Sequence, residues 1–279
     1  MKKLRIKHDK LLLAFLIFIL IFCVLCYAYI FYSSYARNEF AQQAIKISKE
    51  NQNSVFRVSR ILLYSSANAV DNSDNQSLQD LGICQYTDIA LTIDNTSYIS
   101  DLTSTNTVKE LYIDNISATT NLQDGSKFMN YKNLNNFGKF ELLNTPENGR
   151  IDFNIVTNNE DNETADYSKP TFYTDCSNPI SLGYINRDIV NHFSINDQMN
   201  SLVFNGKLLQ IANINLDDIN YELKFDIHIK NYDDDNFVYH ATINGNLNYN
   251  NGELYNNGYL YQTRSATSGN EYDFFKEVN

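Results

Sequence analysis

The sequence predicts a single N-terminal transmembrane helix continuing into an amphipathic helix, then a mainly antiparallel all-β extracytoplasmic domain of β-sandwich or jelly-roll type. Three observations predict it. Leu11–Tyr32 (LLLAFLIFILIFCVLCYAYIFY) is a run of 22 residues with no charge, no Gly and no Pro. At a rise of about 1.5 Å per residue, such a helix is as long as a bilayer's hydrocarbon core is thick. Basic residues crowd one flank of that run. Beyond residue 71 the chain breaks into short stretches of β-branched and aromatic residues bounded by Asn, Asp and Gly.

Residues 1–10 form a basic tail in which Lys2, Lys3, Arg5, Lys7 and Lys10 stand against Asp9 alone. Positive charge beside a membrane span stays in the cytoplasm, which places the tail inside and the remainder outside. Residues 11–32 are the span. Signal-peptide apolar regions run to about 7–15 residues, so this longer run reads as a retained signal anchor. Tyr27, Tyr29, Tyr32 and Tyr35 cluster at its outer end, as an interfacial aromatic belt does. No second apolar run of similar length follows, which makes the expected topology single-pass. Residues 33–70 read as a juxtamembrane stalk helix, because Phe40, Ala44, Ile47, Val55, Val58, Ile61 and Leu62 recur at helical spacing with no Gly or Pro between them.

Residues 71–279 read as the extracytoplasmic β domain. Asp88–Asp94, Val108–Ile116, Lys139–Leu143, Ile151–Thr157 and Ile180–Val190 are its first expected strands. Asn158–Lys169 reads as a long polar loop. Asn205-Gly206 is the dipeptide of a tight hairpin turn, predicting Leu202–Phe204 paired with Leu208–Ile214. The clearest strand is Tyr221–Lys230, where Tyr221, Leu223, Phe225, Ile227 and Ile229 alternate with Glu222, Lys224, Asp226, His228 and Lys230. That alternation belongs to a strand with one face on a core and one in water. Phe237–Ile243 is expected to pair with it across the acidic turn Asp233-Asp234-Asp235-Asn236. Asn244-Gly245, Asn251-Gly252 and Asn257-Gly258 are expected to punctuate a final meander.

The net charge of −11 hides an asymmetry. Residues 1–10 take five of the 22 Lys and Arg and one of the 33 Asp and Glu, so the rest holds 17 against 32, a net of −15. A domain so acidic repels polyanions, and no nucleic-acid partner is expected. Cys23 and Cys26 lie within the apolar run as small hydrophobes, and the bulky Phe22 and Leu25 before them do not suit a lipobox. Cys84 and Cys176 lie beyond the membrane, either as one disulfide or as two free thiols.

Two family resemblances touch parts of the chain. Thr171–Arg187 (TFYTDCSNPISLGYINR) resembles the Thr-rich lead, Cys and following Arg of sortases, which also need a His from an earlier strand. Here His192, His228 and His240 all follow Cys176, and Asp175 lengthens the lead. The order of apolar helix, amphipathic helix and sheet resembles type IV pilins. Those carry a Gly processing site before the apolar run and a Glu five residues into it, where this chain has Lys10 and Phe15.

No nucleophile elbow, zinc-protease helix, CxxC pair, phosphate-binding loop or dinucleotide fingerprint occurs, so no catalytic residue, cofactor or metal ligand is expected. Asp226 and His228 share one face of their strand and read as a surface pair. The acidic stretches 160–163 and 233–236 lack a spaced Ca²⁺ loop. Tyr249, Tyr255, Tyr259 and Tyr261 are the expected ligand-facing aromatics, since Tyr offers sugars a flat apolar face with a polar rim. The functional expectation is a non-enzymatic interaction or structural module of the bacterial cell envelope. Its expected partners are the membrane, through Leu11–Tyr32, and an envelope protein or a glycan. A glycan-binding jelly-roll module and a pilin-like subunit are the alternatives.

Overall fold

Uninterrupted helix-forming residues give the first element its length: α1 runs over Lys2–Gln52. The computed structural model describes residues 2–52, 55–72, 80–95, 104–122, 125–157, 169–194, 203–265 and 272–277. The chain divides after Gln52 into a helical unit and a β unit. Within α1, Leu13–Glu39 is long and apolar enough to cross a membrane. Phe15, Phe18, Leu20, Phe22 and Leu25 are all exposed along it.

The β unit opens with β1 (Arg57–Asp71), β2 (Leu81–Asp94), β3 (Val108–Thr120) and β4 (Ser126–Tyr131). The short β5 (Ile151–Asp152), β6 (Asn154–Val156) and β7 (Thr171–Tyr173) lead into the long β8 (Ile180–Phe193). Then come α2 (Lys207–Ile211), β9 (Tyr221–Asn231), β10 (Asn236–Gly245), α3 (Tyr249–Asn257), β11 (Leu260–Ser265) and β12 (Phe275–Lys276). Two five-stranded sheets result, in the orders β11-β1-β2-β8-β4 and β12-β10-β9-β3-β5, and a parallel pair β6-β7 stands beside them. Every pairing within the two large sheets is antiparallel. The domain is therefore mainly antiparallel and all-β, in two sheets, as the sequence predicts.

The main core lies between the sheets. Ile61, Leu63, Ile89, Leu91 and Tyr184 from the first meet Leu111, Ile113, Leu223, Phe225, Ile227 and Ile243 from the second. The predicted Tyr221–Lys230 strand is β9, with its apolar alternates buried, and it pairs with β10 across the acidic turn as expected. At the end of that hairpin Gly245 is obligatory, because a Cβ there would lie 2.0 Å from the Tyr221 ring.

Four local expectations are corrected. The stalk helix expected through Val70 stops at Gln52, and Arg57–Asp71 is β1. The helical spacing of Val58, Ile61 and Leu62 is accidental. Ile61, Leu63 and Ala67 also fit a period of two, and pairing with β2 on one side and β11 on the other selects the strand. The Asn205-Gly206 hairpin does not form. Gly206 takes φ −57° at the start of α2, whereas the expected turn needs positive φ, and Leu208 and Leu209 enter the core instead. The final meander is interrupted by α3, where Asn250, Asn251 and Gly252 all take left-handed conformations and Gly258 (φ 83°) closes the helix. Lys139–Leu143, expected as a strand, forms none. Asn158–Lys169, except Lys169, lies outside the described residues, as do Leu202 and the acidic stretch 160–163.

The two ends of the β unit meet. Phe274 donates its amide to the Phe56 carbonyl at 3.0 Å, Arg57 pairs with Asp273 at 3.4 Å, and the Phe56 and Phe274 rings pack edge to face.

Candidate functional site

Each sheet has an outer face, and the two are finished differently. On the first sheet the alternates of β2 that point away from the core are Cys84, Tyr86 and Asp88, and residues 132–143 pack over them. Cys84, Tyr86 and Ile185 form a small apolar cluster with Phe128, Phe140 and Leu143. At its centre Lys132 is bonded through Nζ to Asp88 Oδ1, and both side chains are at most 2% exposed. Gly138 donates its amide to the other Asp88 oxygen at 2.6 Å, and Lys132 Nζ also donates to the Lys139 carbonyl at 2.6 Å. Burial pushes the Asp88 carboxyl up, against the opposing pull of Lys132 and the Gly138 amide.

The second sheet's outer face is open. Lys224, His240, Thr242 and Asn244 are exposed along β9 and β10. Its centre carries the one group of potential metal ligands among the described residues: Asp114 of β3 with Asp226 and His228 of β9, whose ligand atoms all lie within 4.8 Å of one another. Strand register assembles it. Asp226 stands opposite Asp114 on one side and opposite His240 on the other. His228 Nε2 lies 3.0 Å from Asp114 Oδ1, and His240 Nδ1 lies 2.6 Å from Asp226 Oδ1.

The surroundings hold these groups in place. β3 bulges just after Asp114, with Asn115 at φ +51°. The bulge turns Asn115 back so that its Nδ2 donates to Asp226 Oδ2 at 2.7 Å. The His228 ring stacks on Tyr112 at 4.4 Å. Arg150, held by Asp152 at 2.6 Å, lies over Tyr112 at 3.6 Å. Side-chain exposure is 18% for Asp226 and 19% for His228, against 65% for His240, so the inner pair is fixed and His240 is the outermost member. Burial acts to raise the Asp226 carboxyl. Hydrogen bonds from Asn115 and His240 and the charges of the two imidazoles outweigh it and hold Asp226 below the usual carboxylate range.

The sequence pointed to Asp226 and His228 as a surface pair. The structure instead gives each a partner from a neighbouring strand. Asp114 and His240 were the residues sequence reasoning missed. The signal for His240 was available, since the register across the 233–236 turn places it opposite Asp226. Asp114 lies more than a hundred residues away and had none.

The remaining candidates fall elsewhere. Cys84 and Cys176 are separate free thiols, Cys84 in the small outer cluster and Cys176 in the main core. Burial pushes both thiols up, Cys176 strongly so, and neither has the thiolate character of a nucleophile. Tyr249, Tyr259 and Tyr261 are exposed, whereas Tyr255 is half-buried with its hydroxyl on the Ile214 carbonyl. Tyr259 stacks on Tyr64 with ring centres 5.6 Å apart, and Tyr261 stands opposite Tyr64 in register. The acidic turn commits its charges to lysines: Asp234 to Lys109 and Lys230, Asp235 to Lys276. No family model, curated protein or solved structure matches this chain.

Proposed function

We propose that this chain is a single-pass membrane protein with a cytoplasmic N-terminus. It carries a non-enzymatic β-sandwich outside the membrane, as an interaction or structural module of a bacterial cell envelope. The observation that carries the reading is the apolar stretch of α1, which is long and apolar enough to cross a membrane and whose large side chains are exposed. The cluster of Lys2, Lys3, Arg5, Lys7 and Lys10 gives the orientation. The open outer face of the second sheet, with groups already gathered at its centre, is the surface assigned to binding.

Protease treatment of intact cells lacking an outer barrier tests the topology. The expected result is digestion of the β domain with the N-terminal tail protected, and extraction of the protein by detergent but not by alkaline wash. A protected β domain reverses the orientation, and release by alkaline wash removes the anchor.

A second reading, a jelly-roll-like glycan-binding module, is favoured by the Tyr64–Tyr259 stack and the exposed Tyr261 beside it. Binding of the detergent-solubilised protein to cell-wall oligosaccharides, lost on Tyr259→Ala, supports it. Absence of binding to any of them leaves the first reading standing alone.

A further inference from the structure

We infer that Asp114, Asp226 and His228 form a binding site for one divalent transition-metal ion of the zinc class, with the fourth position left to water. This goes beyond the interaction-module reading and does not depend on which side of a membrane the domain occupies.

Charge makes the first argument. Asp114 and Asp226 are directly opposed on adjacent antiparallel strands. Like charges in that position destabilise a sheet, with side chains only about 4.5–5.5 Å apart at the Cβ level. A cation between them turns that repulsion into attraction. Lys109, Lys224, Lys230 and Lys276, the lysines of this sheet, are engaged with Glu110, Glu222, Asp234 and Asp235, and the two carboxylates face the imidazoles and the Asn115 amide.

Geometry makes the second. Zinc bonds of about 2.0–2.2 Å to nitrogen and oxygen place tetrahedral ligand atoms about 3.3 Å apart. The ligand atoms of Asp114, Asp226 and His228 all lie within 4.8 Å of one another, and the 3.0 Å between His228 Nε2 and Asp114 Oδ1 is already close to that spacing. The mixed imidazole and carboxylate set suits a borderline ion over Ca²⁺ or Mg²⁺, which prefer all-oxygen cages.

Support around the ligands makes the third. Asn115 donates to Asp226 Oδ2 and His240 holds Oδ1, so the carboxylate is fixed in orientation from both sides. Tyr112 fixes the His228 ring from one face, and Arg150 backs Tyr112 from the other. A metal site needs such an outer shell to orient its ligands, and a casual surface pair of His and Asp has no use for a strand bulge that supplies one.

Titration of Zn²⁺ into the EDTA-stripped, detergent-solubilised full chain tests the site. The expected result is one saturable ion per chain, with a Co²⁺ derivative showing the visible d–d bands of a four-coordinate ion. Changes to outer-shell residues typically weaken metal binding about 10–100-fold, so Asn115→Ala belongs in that range and the ligand changes His228→Gln and Asp226→Asn at or above its upper limit. Far-UV circular dichroism confirms that each variant is folded. His192→Gln, which removes an exposed imidazole paired with Asp80 elsewhere, leaves the affinity unchanged. Absence of saturable binding in the wild type overturns the assignment, and so does wild-type affinity in folded His228→Gln and Asp226→Asn proteins.

Discussion

The two outer faces of the sandwich each carry a carboxylate at mid-sheet, and they treat it in opposite ways. On the covered face Asp88 is sealed under residues 132–143, and its oxygens accept from Lys132 and from the Gly138 amide. On the open face Asp226 is reached by solvent and its partners are exchangeable side chains, His240 and Asn115. The carboxyl ranges follow: Asp88 is pushed up by burial, and Asp226 is held down by its partners. The difference teaches that coverage decides whether a buried charge is a fastening or a charge near the surface is a ligand. A fully satisfied internal ion pair has no bond left to offer.

The largest expected effect breaks the fastening. Lys132→Met leaves Asp88 buried and uncompensated, a loss of about 3–5 kcal/mol in chemical denaturation. Replacing the pair together, Lys132→Met with Asp88→Asn, restores most of it, because no isolated charge remains. Next comes a wedge under the cover. A Cβ at Gly183 would lie 2.6 Å from Leu143 and 3.1 Å from Lys132, so Gly183→Ala is expected to destabilise by about 1–3 kcal/mol. The matching change on the open face, Thr242→Val, stays within about 0.5 kcal/mol. Equal effects at the two positions would dissolve the distinction between the faces.

Smaller effects sharpen it. With EDTA present, His240→Gln removes an exposed hydrogen-bonded contact with Asp226 and costs about 0.2–1 kcal/mol. The pH dependence carries a sign. Asp226 has a folded pKa below its unfolded value, so its contribution is present above the unfolded pKa and is lost as pH falls through the folded one. In EDTA, Asp226→Asn therefore flattens the acid limb of the stability curve below about pH 4. Asp88 has the opposite displacement. Its contribution is present below its unfolded pKa and declines as pH rises through the folded one, so Asp88→Asn in the double variant does not flatten that acid limb. Thermal denaturation across pH reads both.

Much of this arrangement was legible in the chain. The β9–β10 hairpin declared itself through strict alternation, and the apolar helix through its length and charge-free composition. β1 did not, because its apolar residues satisfy both a helical and a strand period. The choice is made by β11, some two hundred residues later. α2 hid behind an Asn-Gly dipeptide whose usual turn lost to the burial of Leu208 and Leu209. Half of the cluster of Asp114, Asp226, His228 and His240 was visible on one strand. The other half depended on registers with β10 and β3, and only the first of these follows from a short turn.

The clasp of Phe274 and Asp273 onto Phe56 and Arg57 sets the order in which the molecule can be finished. A growing chain makes β1 early, yet the partner for one of its edges is Leu260–Ser265, and the cover for Phe56 arrives only with residue 274. β2 pairs one edge of β1 along its length, and the other edge and Phe56 wait for these later residues. Removal of residues 272–277 is therefore expected to take away the latch as well as a short strand.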